Sequence, residues 1–307
     1  MKSQLIAIAI GISLSLFSFI DTSFAQESDQ TKGFMHNIHI GLIYPISNHG
    51  VHAGEYSNVL SVHGLAGLSK NERGFSMAGI ANLIKEDAQG AQFAGILNQY
   101  HNAKGIQMAG LLNLAKGHVS GVQIAGLLNK AGTVDGVQFA GLMNIADSSD
   151  YPVGLVNIIK NGTMSIGLSV DDDQTILASF RSGGRVLYGI IGLGYNLQNG
   201  EQKYAFEGGI GAHLLSRGAF TLNMEVIGSG LIDFEGGMYN KNSLRLLPAY
   251  KLSESIEIYA GPVASHIFTN TEDGKEMIKN TIWKKSLSDG EMSAVNIGFI
   301  GGIQIYL

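Results

Sequence analysis

Asp171, Asp172 and Asp173 stand side by side in "SVDDDQT" and offer hard oxygen ligands of the kind Ca²⁺ takes. Their spacing is not that of an EF-hand loop, in which alternate positions ligate the ion. A solvated turn is the expectation. Nine histidines are scattered along the chain, and neither His36 with His39 nor His63 with His213 has a metal-binding spacing. The glycine string "YGIIGLGYN" (188–196) is followed by no helix whose N-terminus would hold a phosphate. A hydrolase needs a serine, a histidine and an acid or amide that converge in space. Here His213 with a nearby serine is the sole candidate. No catalytic residue, cofactor or metal site is therefore expected, and the chain is read as non-enzymatic. One polar constellation remains: Glu207, His213, Asn223, Glu225, Arg245 and Glu257. If these share an interior, they form either a polar pore or an ion-pair network that fills a narrow space, and the second is the expectation.

The elements that must position them follow from composition and period. Of 307 residues, 15% are charged and 42 are glycine. Ordinary soluble proteins carry about 25% charge and about half as much glycine. The net charge of −5 has the wrong sign for a nucleic-acid partner. Absence of cysteine removes disulfides, thiolate metal sites and a thiol nucleophile. Lys2, the apolar run 5–20 and "TSFA" have the order of a signal peptide, with Ser23 and Ala25 at the cleavage site. Residues 1–25 are expected to be the signal and 26–307 the mature chain. No later run is long and apolar enough for a membrane helix, so any membrane crossing would use β-strands.

Five copies of a nine-residue unit begin at Gly74, Gly90, Gly105, Gly121 and Gly136, among them "GVQIAGLLN" (121–129), and a looser sixth copy lies at 152–158. A period this short means one simple unit repeated. Alternate residues of a strand face opposite sides. On one side stand Val122, Ile124, Gly126 and Leu128; on the other Gln123, Ala125, Leu127 and Asn129. The C-terminal third alternates in the same way. Phe206, Ile210 and Leu214 oppose Glu207 and His213; Leu222, Met224 and Val226 oppose Asn223 and Glu225; Ile256 and Ile258 oppose Glu257. The segment 270–292, charged and holding the single tryptophan Trp283, has no such pattern and is expected to be a long external loop.

Two architectures use this unit. In a transmembrane β-barrel the apolar side meets lipid and the polar side faces the lumen. In a β-solenoid the apolar side turns into a dry core and the amides face outward. The ending "SAVNIGFIGGIQIYL" resembles the closing strand of Gram-negative outer-membrane β-barrels, although Leu307 stands where that pattern usually has an aromatic residue. The repeat G-x-Q-x-A-G-x-x-N, behind a signal peptide and before a barrel-like third, resembles the short surface repeats of uncharacterised outer-membrane proteins of Gram-negative bacteria. It also shares closely spaced Gln, Gly and Asn with curli-type repeats, but its spacing differs. The resemblance implies an outer-membrane location, lipid as a partner, and contact of the terminal strand with the barrel-assembly machinery.

The expected fold is thus all-β: one antiparallel transmembrane barrel of about 12–16 strands over 26–307, with the repeat (74–158) built into its wall. The alternative is a β-solenoid followed by a soluble β-domain. In the barrel, Gln92, Gln107, Gln123, Gln138, Asn98, Asn113, Asn129, Asn144, Glu207, His213, Glu225, Arg245 and Glu257 would face the lumen. The expected role is structural or passive transport in the outer membrane.

Overall fold

The computed structural model describes residues 35–307 apart from 201, 233–236 and 288–289. The expected signal segment lies outside the described residues. No helix among the described residues is long and apolar enough to cross a membrane.

The repeat folds into parallel coils of two strands each. β1 (Met35–Ile43), β2 (Ile46–Ser47) and β3 (Ser57–Ser69) form the N-terminal end. The coils that follow pair a longer with a shorter strand: β4 (Asn71–Ala78) with β5 (Ala81–Ile84), β6 (Asp87–Ala94) with β7 (Leu97–Tyr100), and β8 (Asn102–Ala109) with β9 (Leu112–Ala115). Then come β10 (His118–Ala125) with β11 (Leu128–Lys130), β12 (Thr133–Ala140) with β13 (Met143–Ala146), and β14 (Ser148–Val153) with β15 (Val156–Ile159). The long strands stack in one parallel face and the short strands in the other; β3 is long enough to begin both. Successive copies lie in register, with Gly121 beside Gly105 and Gly136, Gln123 beside Gln107 and Gln138, and Asn129 beside Asn113 and Asn144.

Each nine-residue unit therefore contains a corner and not one straight strand. "GVQIA" ends the long strand, Gly126 and Leu127 turn, and Leu128–Lys130 starts the opposite face. The one-piece barrel is corrected on this point: the repeat is a solenoid and does not contribute wall strands. The dry-core solenoid is corrected too. Gln123, Ala125 and Asn129 are buried, whereas Val122 and Ile124 are half-exposed and Leu127 is exposed. The amides face in and the aliphatics face out.

The C-terminal part is a closed antiparallel barrel. Its strands are β16 (Thr163–Asp171), β17 (Thr175–Gly183), β18 (Leu187–Asn196), β19 (Tyr204–Arg217), β20 (Phe220–Ile232), β21 (Tyr239–Lys251), β22 (Ile256–Thr269) and β24 (Met292–Tyr306). Each pairs with the next, and β24 pairs back to β16 from Tyr306 beside Ser165 to Ile300 beside Asp171. Among the described residues the barrel has eight strands, below the expected range, because the repeat copies are not among them. The terminal strand does close it. The segment expected as a loop holds the helix α1 (Glu272–Met277) and β23 (Thr281–Ser286), which extends from β24 as a hairpin.

At the end where the chain enters and leaves, the turns are short: 184–186, 218–219 and 252–255. Opposite them are the tight turn 172–174 and the longer connections 197–203, 233–238 and 270–291. The solenoid joins at the short-turn end. There Asn157 N–H donates to Ser182 Oγ (2.9 Å), and Asn157 Nδ2 donates to the Ser182 carbonyl (3.1 Å).

Candidate functional site

An eight-stranded barrel leaves an interior just wide enough for side chains. Antiparallel alternation aims every second residue into it. On β19 that residue is Glu207, on β20 Glu225, on β21 Arg245 and on β17 Ser179 and Arg181; all are buried. Arg245 Nη2 donates to Glu207 Oε2 (2.7 Å), and its Nη1 lies 3.5 Å from Glu225 Oε2. Arg181 Nε donates to Glu225 Oε1 (2.9 Å), as does the Tyr188 hydroxyl (3.1 Å). Ser179 Oγ donates to Glu207 Oε1 (2.5 Å). The Arg181 guanidinium also lies 4.9 Å from the centre of the Tyr259 ring. Each carboxylate thus has a cation and a hydroxyl, which is what burial of charge requires.

Glu257 belongs to a neighbouring group, where it accepts from Gln304 Nε2 (2.6 Å) and the Tyr306 hydroxyl (3.2 Å). Near the long-loop end, Lys241 Nζ donates to Asp173 Oδ2 (2.6 Å) and Asp171 Oδ2 (3.1 Å), and the Tyr239 hydroxyl donates to Asp173 (3.1 Å). The three aspartates are therefore not a solvated turn: they cap the barrel interior, and an ammonium stands where a metal would. Spacing along the chain could not show this, because Lys241 comes from five strands later.

Two small cavities lie between these side chains. One cavity of about 20 Å³ lies between Asp173, Tyr239, Lys241 and Arg245, and another of about 20 Å³ is lined by Ser165, Arg181, Tyr188, His213 and Tyr306. A cavity of this size holds about one water molecule. The Arg181–Glu225–Arg245–Glu207 layer is built of buried side chains on facing strands. Among the described residues this layer is an ionic plug across an interior that also holds the apolar clusters of Leu177, Leu231 and Ile267 and of Leu247, Val263 and Ile300.

Comparison of the chain with family models, with curated proteins and with solved structures returned no match. The geometry alone carries the functional reading.

His213 faces the same interior, half-buried. Its Nδ1 lies 2.6 Å from Asn223 Oδ1 and its ring 4.8 Å from that of Tyr188. Ser165 lines the same small cavity, but its hydroxyl donates to Gln304 Oε1 (3.3 Å). His213 is thus paired with Asn223, and Ser165 with Gln304.

The expected lumenal amides are inward-facing, but in the solenoid and not in the barrel. Asn82, Asn98, Asn113, Asn129, Asn144 and Asn157 form a ladder in which each Nδ2 donates to the next Oδ1 at 2.8–3.0 Å. Each of the first five also donates to a backbone carbonyl of the following coil, as Asn113 does to Ile124 O (2.7 Å). The glutamines form a shorter column: Gln107 to Gln92 and Gln138 to Gln123, both at 2.9 Å, with Gln123 donating to the Tyr100 hydroxyl (2.7 Å). Beside the amides lies an apolar cluster that includes Ile84, Tyr100, Val119, Val134 and Ile159.

Spacing also missed a histidine group at the N-terminal end of the solenoid. His39 Nδ1 lies 3.2 Å from His63 Nε2, and the His39 and His49 rings stack at 4.4 Å. Burial and the neighbouring histidines pull the His39 imidazole down to about 3; the same causes pull His63 down to about 4. Both are neutral at physiological pH and act as packed polar groups. Glu72 contributes a buried carboxyl group to this interior. It accepts from Ser61 (2.7 Å) and Asn58 (3.1 Å), and burial raises its pKa.

Proposed function

We propose that this protein is a non-enzymatic outer-membrane β-barrel, closed to solutes, that anchors a β-solenoid beside it. The observation that carries this reading is the apolar outer wall around buried charge. Inside the barrel the ion pairs lie among apolar clusters such as Leu247, Val263 and Ile300, while the outer wall presents rows such as Ile166, Leu168 and Val170 on β16 and Ile297, Phe299, Ile303 and Ile305 on β24, all exposed. A wall of that kind in water would be a large uncovered apolar surface; in lipid it is the normal outer face of a barrel. On β21 the outward run Leu244 to Tyr250 is free of charge, and six residue steps cover about 20 Å, close to the apolar band of known barrels. Aromatic residues flank the wall: Tyr195 and Tyr204 at the long-loop end, Phe220 and Tyr250 at the other. Short turns at one end and longer connections at the other fit the same family of folds.

In this reading outer-membrane lipid is the partner, the assembly machinery engages β24, and no nucleic acid is involved. The ionic plug favours an anchoring role over passive transport. The second reading, a surface solenoid that binds partners, is favoured by the parallel coils themselves.

Two readouts on the full-length protein in a Gram-negative host test the proposal. Carbonate washing is expected to leave it in the outer-membrane pellet, and purified protein in planar bilayers is expected to give no conductance steps. Release by carbonate would overturn the membrane anchor. Regular conductance steps would overturn the closed interior.

A further inference from the structure

The outside of the solenoid is banded. Across the long-strand face, the first outward position of successive coils is mostly polar: Arg73, Gln89, Lys104, Ser120 and Asp135. The next two outward rows are apolar, the second running Met77, Phe93, Met108, Ile124, Phe139. The corner that follows is wholly aliphatic: Ile80, Ile96, Leu111, Leu127 and Leu142, all exposed. The opposite corner carries Lys85, Glu86, His101, Lys116 and Asp147. Five coils in register turn one apolar corner residue into a continuous edge; the opposite corner is polar or charged in four of the five, with Ala131–Gly132 in the remaining one. No buried core explains the aliphatic edge, because the amides fill the space behind it.

The junction with the barrel gives this edge a depth. At the last coil the aliphatic corner is Gly154–Leu155. Leu155 Cδ2 comes within 3.5 Å of the place a Cβ would take on Gly208. Gly208 lies in the middle of the outward row Tyr204, Phe206, Gly208, Ile210, Ala212, Leu214 on β19. The charged corner meets the end of the barrel instead: in the last coil it is Lys160–Asn161, where Asn161 N–H donates to Asp147 O (3.1 Å), and β16 starts two residues later at Thr163, at the short-turn end. The aliphatic edge therefore leaves the barrel from mid-wall, and the charged edge leaves it from turn level.

We propose that the solenoid is itself seated in the lipid leaflet at the short-turn end of the barrel, with its aliphatic corner among acyl chains and its charged corner at the headgroups. The inference rests on the barrel's lying in lipid. Lipid is the occupant, and not a protein groove-binder, because the aliphatic edge is continuous with the barrel's own apolar wall and its bands run in the order of a leaflet. Amphipathic elements that lie in an interface bury their apolar face in this way. The polar interior is compatible with that setting: the amides are hydrogen-bonded to one another and to the backbone, as groups near hydrocarbon must be.

The cysteine-free sequence makes the test direct. Three single-cysteine variants of the full mature chain, L246C on the barrel wall, L127C on the aliphatic corner and K116C on the charged corner, are labelled with the fluorophore NBD. Each is folded into phosphatidylcholine–phosphatidylglycerol vesicles. The expected result is that L127C matches L246C, with blue-shifted emission quenched by nitroxide lipid and not by iodide, while K116C shows the reverse. If L246C reports lipid and L127C reports water, the solenoid lies outside the leaflet and this inference fails while the barrel reading stands. If L246C itself reports water, the barrel reading fails and the inference falls with it. Lipid quenching at all three positions would contradict the banded orientation.

Discussion

Arg245→Leu is expected to destabilise the barrel by about 3–5 kcal/mol, the usual cost of leaving buried charge without its partner. Arg245 is 3% exposed and is the guanidinium between two carboxylates, at 2.7 Å from Glu207 and 3.5 Å from Glu225. Without it Glu207 keeps only the Ser179 hydroxyl, while Glu225 keeps Arg181. The damage should thus centre on Glu207. Combining Arg245→Leu with Glu207→Leu removes the orphaned charge and should recover most of the loss, since apolar side chains of similar volume replace buried ion pairs well. Urea titration of the folded protein in detergent micelles measures both. A loss below about 1 kcal/mol for the single variant would mean that solvent reaches the pair, as it does for exposed ion pairs, and the plug would not be closed.

Gly121→Val is expected to break the solenoid at its middle. Gly121 has φ +132°, and Gly90, Gly105 and Gly136 are positive as well. A β-branched residue there costs about 1–3 kcal/mol in backbone strain alone. A Cβ at Gly121 would also stand inside the contact distance of the Gly105 carbonyl oxygen, one coil away. Relief requires the coils to part, which opens the pairing of β10 with β8 and interrupts the asparagine ladder between Asn113 and Asn129. Coils in a solenoid touch only their neighbours, so the loss should be local. Limited proteolysis is expected to cut the coils before residue 121 while the barrel survives. A variant as protease-resistant as the parent would show that the coils tolerate wider spacing than the structure gives.

The barrel strands were legible because antiparallel alternation is a local property. Parity alone sends Glu207, Glu225, Arg245 and Glu257 to one side, whatever strand lies next to them, and the structure has all four inward. Thr163–Asp171 and Thr175–Gly183, which alternate less cleanly, are strands as well. Arg181 escaped notice because "TILASFRSG" is weakly patterned, yet it shares the inward parity of Ser179. The solenoid was harder. Parity assumes a straight strand, and the unit hides a corner at Gly126–Leu127. The overlooked signal was the identity of the repeat itself. Gln on Gln and Asn on Asn at a period of 15–16 residues is what in-register amide ladders need, and ladders of this kind form between parallel neighbours. The aspartate–lysine and histidine groups were illegible for a plainer reason: Asp173 and Lys241, or His39 and His63, meet only after the strands are ordered.

The central claim is that the C-terminal strands close into a barrel that is stable in lipid. Heat-modifiable migration tests it most directly. Full-length protein folded into phospholipid vesicles and run in dodecyl sulfate without boiling is expected to migrate as a compact, faster band, and boiling should shift it to the mobility of the unfolded chain. Identical mobility with and without boiling would contradict the account.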